Sequence, residues 1–417
     1  MASDLEALER LYGFVHATAG AEIELYQRSA DTIRVFRSSR GRIEVTTGTE
    51  CGVAVRARSR SGGGIGFAAG SSASRQALDE ALAEAVARCE TGPAGDPWPP
   101  STDRLQLDHD DGDLPGNEEV VAWLSRAWDR LAAHAAGDER VIPVAAWIDV
   151  ASTVESWAAE ALQASRRRIR ASARVELVRS GGRGEGALDP IVVARRSWRD
   201  LADDAWTAVL ADRWLAPAGG VAPAAREVTV LCNPECAAAL VLAAVRARRP
   251  ATDGERDGAA VGPGWHVVDD PPAPGALFGG EFDDVGFRTR RRVLADGRLW
   301  TGAAESKGHY RRTSFRDPPA PLPSSLVVLA PAQAPPPSCL LVTGLTIHAI
   351  GPGWVLEVDS AELTGGHPGA ALPRTMLRTS PQEIAKRCVG SVGPARPSHL
   401  GVVAPALLFE GIRTGLQ

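Results

Sequence analysis

Lysine is scarce in this chain of 417 residues, because Lys307 and Lys386 are the only two lysines among its 46 basic residues. The formal net charge is −5 and the calculated isoelectric point is about 6.0. A chain without a basic excess has no general attraction for the phosphate backbone of nucleic acid. We therefore do not expect nucleic acid as a partner.

Long apolar runs are also missing, since no window reaches the roughly 18 uninterrupted apolar residues of a membrane span. The N-terminal stretch MASDLEALERLYGFVHA has no basic segment followed by an apolar core, so the sequence predicts neither a membrane anchor nor a secretory signal. The six cysteines are scattered and do not suggest a disulfide framework. These absences predict a cytoplasmic protein, and the length allows two or three domains.

Alternating apolar residues dominate the first part of the chain. Residues 4–17 predict a helix, and the following period-2 runs predict an antiparallel meander with one covered face: 21–27, 32–38, 41–47 and 51–57. The stretch SGGGIGFAAG predicts a turn and a short strand rather than a phosphate-binding loop, because it lacks the P-loop Lys and helix context. A second helix then carries Leu78, Leu82 and Val86 on one face.

The remaining pattern divides the chain near a Pro- and Ala-rich break at 215–227. We predict an N-terminal α+β domain over 1–222, with a surface connection at about 91–117, and a β-rich C-terminal domain over 223–417. Within the first domain the pattern predicts helices at 118–136 and 197–214 and strands at 141–153 and 168–180. The ESWAAEALQAS run is ambiguous between helix and strand.

The stretch LCNPECAAALVLAAVRARR, from Leu231 to Arg249, places Cys232 and Cys236 four residues apart. Asn233 is a good N-cap and Pro234 suits the first helical position, so the helix begins between the two thiols. A zinc site needs three or four ligands, and no His, Cys, Asp or Glu follows until Asp253. Buried structural cysteines are therefore expected rather than a metal site.

Two long segments resemble the TldD/PmbA family of metallopeptidase-type proteins, also called modulators of DNA gyrase. The first runs from GAEIELYQRSADTIRVF to the helix SRQALDEALAEAVARC, and the second from NPECAAALVLAAV to HVVDDPPAPGALFGGEFDDVGFRTRRR. The family pattern Asp-Asp-Pro followed by Phe-Asp-Asp-Glu-Gly is similar to Asp269-Asp270-Pro271 and to residues 282–286 here. Val285 replaces the usual Glu. The resemblance covers most of the chain and implies an α+β fold of the TldD/PmbA type.

The resemblance also implies which kind of subunit this is. TldD-type subunits carry His-Glu-x-x-x-His on the helix after the Pro-Glu start and a late Cys as third zinc ligand. PmbA-type subunits, also called TldE, lack that motif and pair with a TldD subunit. The corresponding helix here is ECAAALVLAAV, without histidine. We thus expect no catalytic or metal-binding residue in this chain, zinc in a TldD-like partner, and a heterodimer that cleaves peptide or amide-type bonds, with natural-product maturation as a specialised role.

One dense basic and aromatic cluster, KGHYRRTSFRD, lies where the family has a polar loop near the substrate cleft. Its candidate substrate-binding or interface residues are Lys307, His309, Tyr310, Arg311 and Arg312. The alternative is a solvated loop, and the Arg-rich run at 165–172 is also predicted to be a solvated face. The paired acids at 269–270 and 283–284 are more simply explained as loop caps than as a cation site.

Two other functions remain open from the sequence. A stand-alone hydrolase would use a site that no motif reveals, for example three histidines from distant positions. A non-enzymatic interaction protein would bind a partner without turnover. Zinc content and peptide hydrolysis of the purified chain, alone and with a TldD-like subunit, separate these alternatives.

Overall fold

The computed structural model describes the chain from residue 21 to residue 414 with gaps. The gaps are 61–63, 90–113, 136–140, 160–161, 180–185, 188–190, 204–226, 248–257, 272, 274–276, 281, 286–287, 302–309, 313, 315, 322, 324 and 365–366. The helix predicted at 4–17, most of the predicted connection at 91–117 and most of the predicted helix at 197–214 lie outside the described residues.

The described part of the N-terminal half forms a seven-stranded antiparallel sheet in the order β3-β2-β1-β4-β5-β6, with β7 also paired to β5. Two long hairpins, β1–β2 and β4–β5, make up most of it, and they are joined by the pairing of β1 with β4. Its strands are β1 (Ala21–Ser38), β2 (Ile43–Ser59), β3 (Ile65–Gly70), β4 (Val141–Ala159), β5 (Leu162–Arg179), β6 (Gly186–Ala187) and β7 (Ile191–Arg195).

The predicted meander is present, but the number of strands predicted within it is wrong. The runs at 21–27 and 32–38 belong to the single strand β1, and those at 41–47 and 51–57 belong to β2. The polar residues between the runs stay extended because they pair across the sheet, as when the Thr49 hydroxyl donates to Asp31 Oδ1 at 2.7 Å. The ambiguous ESWAAEALQAS run completes the β4–β5 hairpin.

Helices cover one face of this sheet. They are α1 (Arg75–Cys89), α2 (Asn117–Ala135) and α3 (Trp198–Asp203). Leu25 and Val55 pack under α1 at one end of the long strands, and Ile33 and Val35 pack under α2 at the other. The helices predicted around Leu78 and at 118–136 are confirmed, and so is the α+β class.

The C-terminal half is mostly strands, as predicted. The described part forms a nine-stranded sheet, in which β8 pairs with both β14 and β18 and so closes a circuit through β18-β16-β15-β14-β8. Its strands are β8 (Glu227–Cys232), β9 (His266–Asp269), β10 (Arg292–Asp296), β13 (Leu326–Val328), β14 (Ser338–Ile350), β15 (Gly353–Thr364), β16 (His367–Thr379), β17 (Cys388–Pro397) and β18 (Val402–Thr414). A separate two-stranded ribbon joins β11 (Tyr310–Arg311) to β12 (Ala320–Pro321).

The helix that follows β8, α4 (Pro234–Ala247), packs against the circuit together with the short α5 (Pro381–Arg387). The strands of the first sheet all precede residue 204 and those of the second all follow residue 226. The domain boundary at 222/223 nevertheless stays a prediction, because 204–226 lies outside the described residues. No helix in the described part of the chain is long and apolar enough to cross a membrane.

Candidate functional site

The predicted helix cap at Asn233 is confirmed. Asn233 Oδ1 accepts the Cys236 N–H at 2.8 Å, and Cys232 ends β8 while Cys236 lies in the first turn of α4. Both thiols are buried, with 3% exposure each, as predicted. The helix therefore starts between the cysteines because an asparagine cap and a proline at the first helical position favour that start.

The inner face of α4 offers no conventional metal ligand except one thiol. Its buried residues are Cys236, Ala237, Ala238, Leu240, Val241 and Ala244. Burial raises the pKa of the nearby Cys388 thiol to about 12, and burial also raises that of Cys232 well above its usual value. Protonated thiols are poor metal ligands and poor nucleophiles. Among the described residues, no group of three or more His, Cys, Asp or Glu side chains could hold a metal ion.

The five residues of the predicted basic cluster are not brought together by the described structure. Lys307 and His309 lie outside the described residues, and Tyr310 and Arg311 form β11, which pairs with β12. Arg312 is the member whose side chain has described partners. The role of the five as a substrate-binding or interface group stays a prediction.

Arg312 lies deep against the face of the N-terminal sheet opposite the helices, with a side-chain exposure of 1%. Its Nη2 donates to Glu24 Oε1 at 3.1 Å, and its backbone N–H donates to Asp284 Oδ2 at 2.7 Å. The guanidinium carbon lies 4.8 Å from the centre of the Tyr26 ring, within cation–π range. Arg312 thus connects the C-terminal half to β1.

Glu24 is shared by two arginines. Arg56, its register partner on β2, donates from Nη1 to Glu24 Oε2 at 2.8 Å, while Arg312 occupies the other carboxylate oxygen. The side chains of Glu24 and Arg56 have exposures of 0% and 2%. A buried charge is tolerated only when it is paired and hydrogen-bonded, and Glu24 provides such a partner to both arginines.

A second group extends the network along β4 and β5. Arg166 Nε donates to Glu155 Oε2 at 2.5 Å, and Tyr26 Oη donates to Glu155 Oε1 at 2.7 Å. Burial opposes ionisation of Glu155, but Arg166 and then Arg168 outweigh it, so the pKa of Glu155 lies well below its usual value. Glu155 is thereby held as a carboxylate and is not a candidate general acid or base near neutral pH.

Arg166 also binds the segment that contains the Phe282–Asp284 motif. Its Nη1 donates to Phe282 O at 2.9 Å, its Nη2 contacts Asp284 Oδ1, and its guanidinium lies over the Trp157 ring at 4.5 Å. Trp157 Nε1 donates to Asp284 O at 3.0 Å. The motif that carries the family resemblance is therefore fastened to the N-terminal sheet.

Two sequence-based interpretations need correction here. The run at 165–172 is not simply a solvated face, because Arg166 is 2% exposed and central to the network. Asp284 is more than a loop cap, since it binds the side chain of Arg166 and the backbone of Arg312. The capping interpretation holds for Asp283, whose Oδ1 accepts the Val285 N–H at 3.0 Å. The alternation of side chains along β5 indicates which face of the sheet Arg166 occupies. Sequence alone does not indicate its burial, because arginine is usually exposed.

Each carboxylate of the network is paired with at least one arginine, which limits its chemistry. Glu24, Glu155 and Asp284 pair with Arg56, Arg166 and Arg312, and Arg168 adds a fourth guanidinium, with its Nε 3.9 Å from Glu155 Oε2. A compensated, fully buried group positions segments but supplies no free base or nucleophile. We conclude that this network holds the two halves together.

A partly exposed pair lies at the head of α4. His399 Nδ1 contacts Glu235 Oε1, and their side chains are 30% and 29% exposed. Arg170, on the same face of β5 as Arg166, donates to His399 O at 3.5 Å and lies over the Phe278 ring at 4.8 Å. A histidine–carboxylate pair can transfer a proton, and this pair faces the junction between the halves. Sequence spacing could not reveal it, because 164 positions separate the two residues.

The whole architecture matches solved structures over nearly its full length. TldE from Thermococcus kodakarensis superposes with a TM-score of 0.76 at 17% identity, covering 98% of this chain and 99% of that one. The chain has the fold of TldE. A candidate modulator of a DNA gyrase from Thermotoga maritima also matches, with a TM-score of 0.70, 13% identity and coverage of 99% and 100%.

A third structure with the TldE fold is a candidate modulator of DNA gyrase from Bacteroides thetaiotaomicron, with a TM-score of 0.70, 14% identity and full coverage of both chains. No family model matches the sequence, and no curated protein matches it. The fold expected from the resemblance to the TldD/PmbA family is thus confirmed.

Proposed function

We propose that this chain is the zinc-free, TldE-like subunit of a heterodimeric hydrolase located in the cytoplasm. A TldD-like partner supplies the zinc, activates the water and provides the general base. The partner cleaves peptide or amide-type bonds, and this chain shapes one wall of the cleft with its charge network and the Glu235–His399 pair. Maturation of a peptide natural product is the specialised role that we favour.

The observation that carries this proposal is the inner face of α4. The chain has the TldE fold, while the helix that bears the catalytic motif in TldD-type sequences has one cysteine, Cys236, and otherwise alanine, leucine and valine at its buried positions here. A zinc site needs three or four ligands, and this face offers one thiol. Val285, which replaces the usual Glu, is itself fully buried, so the departure from the family pattern falls inside the packed motif rather than on the surface.

The decisive experiment is co-expression with a TldD-like zinc subunit from the same source. We expect a one-to-one complex, about one zinc per complex, and peptide hydrolysis that disappears when the zinc motif of the partner is substituted. Stoichiometric zinc in this chain alone, or hydrolysis by this chain alone, would overturn the proposal. Binding to a partner without any turnover would support a pure interaction protein instead.

A second candidate is a stand-alone hydrolase, and the Glu235–His399 pair is the observation in its favour. It predicts activity in the isolated chain that is lost in Glu235→Gln and His399→Asn. Under the first proposal both variants leave the isolated chain as inactive as before, and affect only the complex.

A further inference from the structure

Strand β2 has a long outer edge that no described strand covers. Its other neighbour, β3, pairs only with residues 53–58, so residues 43–52 are paired on one side, with β1. Residues 43–50 are all exposed, including Ile43 at 40% and Val45 at 44%. An exposed edge of this length is a template for another extended segment.

The register shows which groups the edge offers. Ser38 N–H donates to Arg42 O at 3.0 Å at the end of the hairpin, and the β1–β2 register then runs without a shift. Hydrogen-bonded and non-bonded pairs alternate in an antiparallel ladder, so even-numbered residues of β2 point their amides toward β1. Val45, Thr47 and Thr49 therefore direct their N–H and C=O groups outward.

A cavity of about 390 Å³ lies beside this edge. Residues 31–33 of β1, residues 47–49 of β2, Leu114 and Asn117 line it. Among the lining residues Ile33 is buried, and Asp31, whose Oδ1 accepts the Thr49 hydroxyl at 2.7 Å, carries the charge. Glu118 and Glu119 follow Asn117 in the first turn of α2. No basic residue is among the lining residues that the structure describes, so an apolar stem with a cationic end is the side chain that fits.

We propose that the outer edge of β2 binds an extended segment of another protein, which adds as a strand and inserts a lysine or arginine side chain into the cavity beside Asp31. In this mode of recognition main-chain hydrogen bonds give affinity and a side-chain pocket gives specificity. A second copy of this chain is a poorer occupant, because its own residues 43–52 contain no Lys or Arg. The inference does not depend on the hydrolase function.

The test uses a defined probe: a nine-residue, end-capped peptide of threonine and valine with one central lysine, labelled for fluorescence anisotropy. Two matched peptides are the controls, one with glutamate in place of lysine and one with N-methyl groups on alternate amides. We expect saturable binding of the lysine peptide, at least tenfold weaker binding of the glutamate peptide, and none of the N-methylated one. Equal binding of all three peptides would overturn the proposal.

Variants of the full chain locate the site. Thr47→Pro removes one outward N–H without touching the bonds to β1, and we expect about tenfold weaker peptide binding, whereas Thr47→Val retains binding. Asp31→Asn should weaken binding of the lysine peptide about threefold and leave a norleucine peptide unaffected. Unchanged binding in a folded Thr47→Pro protein would overturn the proposal, and Val45→Pro repeats the test should Thr47→Pro fail to fold.

Amide hydrogen exchange of the unmodified chain adds an independent readout. We expect fast exchange at Val45, Thr47 and Thr49 in the free protein and protection when the lysine peptide is added. Protection already present in the free chain would mean that the chain itself or a second copy covers the edge, and would overturn the proposal. A concentration-dependent dimer that disappears in Thr47→Pro would do the same.

Discussion

Glu24 is one of the buried residues through which the two halves contact each other. One carboxylate oxygen accepts from Arg56 and the other from Arg312, and none of the three side chains is more than 2% exposed. Neutralising the carboxylate would remove the charged partner that these two buried guanidiniums share. The expected loss of folding free energy is therefore much larger than the contribution of one surface ion pair.

We expect Glu24→Gln to lower the free energy of unfolding by about 3–5 kcal/mol, the usual cost of breaking a buried ion pair. Glu22→Gln is the matched control, because Glu22 lies two positions before Glu24 on β1 and pairs with Arg58 in a partly exposed site. This substitution should lower the free energy of unfolding by less than about 1 kcal/mol. Urea unfolding of the two variants measures the difference. Equal losses would show that burial of Glu24 has no energetic consequence.

The depressed pKa of Glu155 gives a pH dependence with a definite sign. A carboxyl group whose pKa is lower in the folded than in the unfolded chain contributes stability above the unfolded value, near 4.5, and that contribution is lost as pH falls toward the folded value. We expect the difference in stability between the unmodified chain and Glu155→Gln to shrink below pH 4.5. A difference that stays constant from pH 6 to pH 3 would contradict this explanation.

The buried thiols give a third prediction at the residue scale. Cys232, Cys236 and Cys388 are buried, and burial raises the pKa of Cys388 to about 12, whereas Cys51 is only half-buried. Since the thiolate is the reactive form, iodoacetamide at neutral pH should modify Cys51 first in the native chain. Mass spectrometry after timed quenching checks this order, and denaturant should make all six sites react alike.

At the scale of elements, a single residue, Asn233, connects strand β8 to helix α4. Asn233 Oδ1 caps the Cys236 N–H, and Asn233 Nδ2 donates to Thr343 O at 3.3 Å on the neighbouring strand. An N-cap substitution to alanine costs about 1 kcal/mol. We expect a loss of that size in Asn233→Ala and a smaller one in Asn233→Asp, which keeps the capping oxygen, as measured by thermal unfolding.

The elements also show what sequence patterns can and cannot predict. The cap at Asn233, the helix around Leu82 and the β-rich second half follow from local periodicity and local chemistry, and these predictions are confirmed. The break predicted near Asp31 is wrong because cross-strand partners, which a local window does not contain, keep polar residues extended. The burial of Arg166 was missed for the same reason, since its partners lie on β4 and in a segment more than 100 residues away.

At the scale of the whole molecule, the charge network couples the two sheets. Arg166 on β5 holds the backbone of Phe282 and the side chain of Asp284, which belong to the other half. We expect one cooperative endotherm in the unmodified chain and two separated endotherms in Arg166→Gln. Arg174→Gln, on the same face of the same strand but paired with the exposed Glu176, is the control and should unfold in one step. A single transition in both variants would show that other contacts couple the halves.

The closed circuit of the C-terminal half has a consequence for the order in which the protein is made. β8 is the first strand of the circuit, at 227–232, and β18 is the last, at 402–414, yet the two pair directly. While a ribosome is still adding the residues between them, β8 lacks one partner and the apolar side of α4 lacks its cover. The first sheet has all its described strands by residue 195. The nascent chain can therefore pair the described strands of the first sheet early, whereas the second sheet needs protection until its final strand emerges.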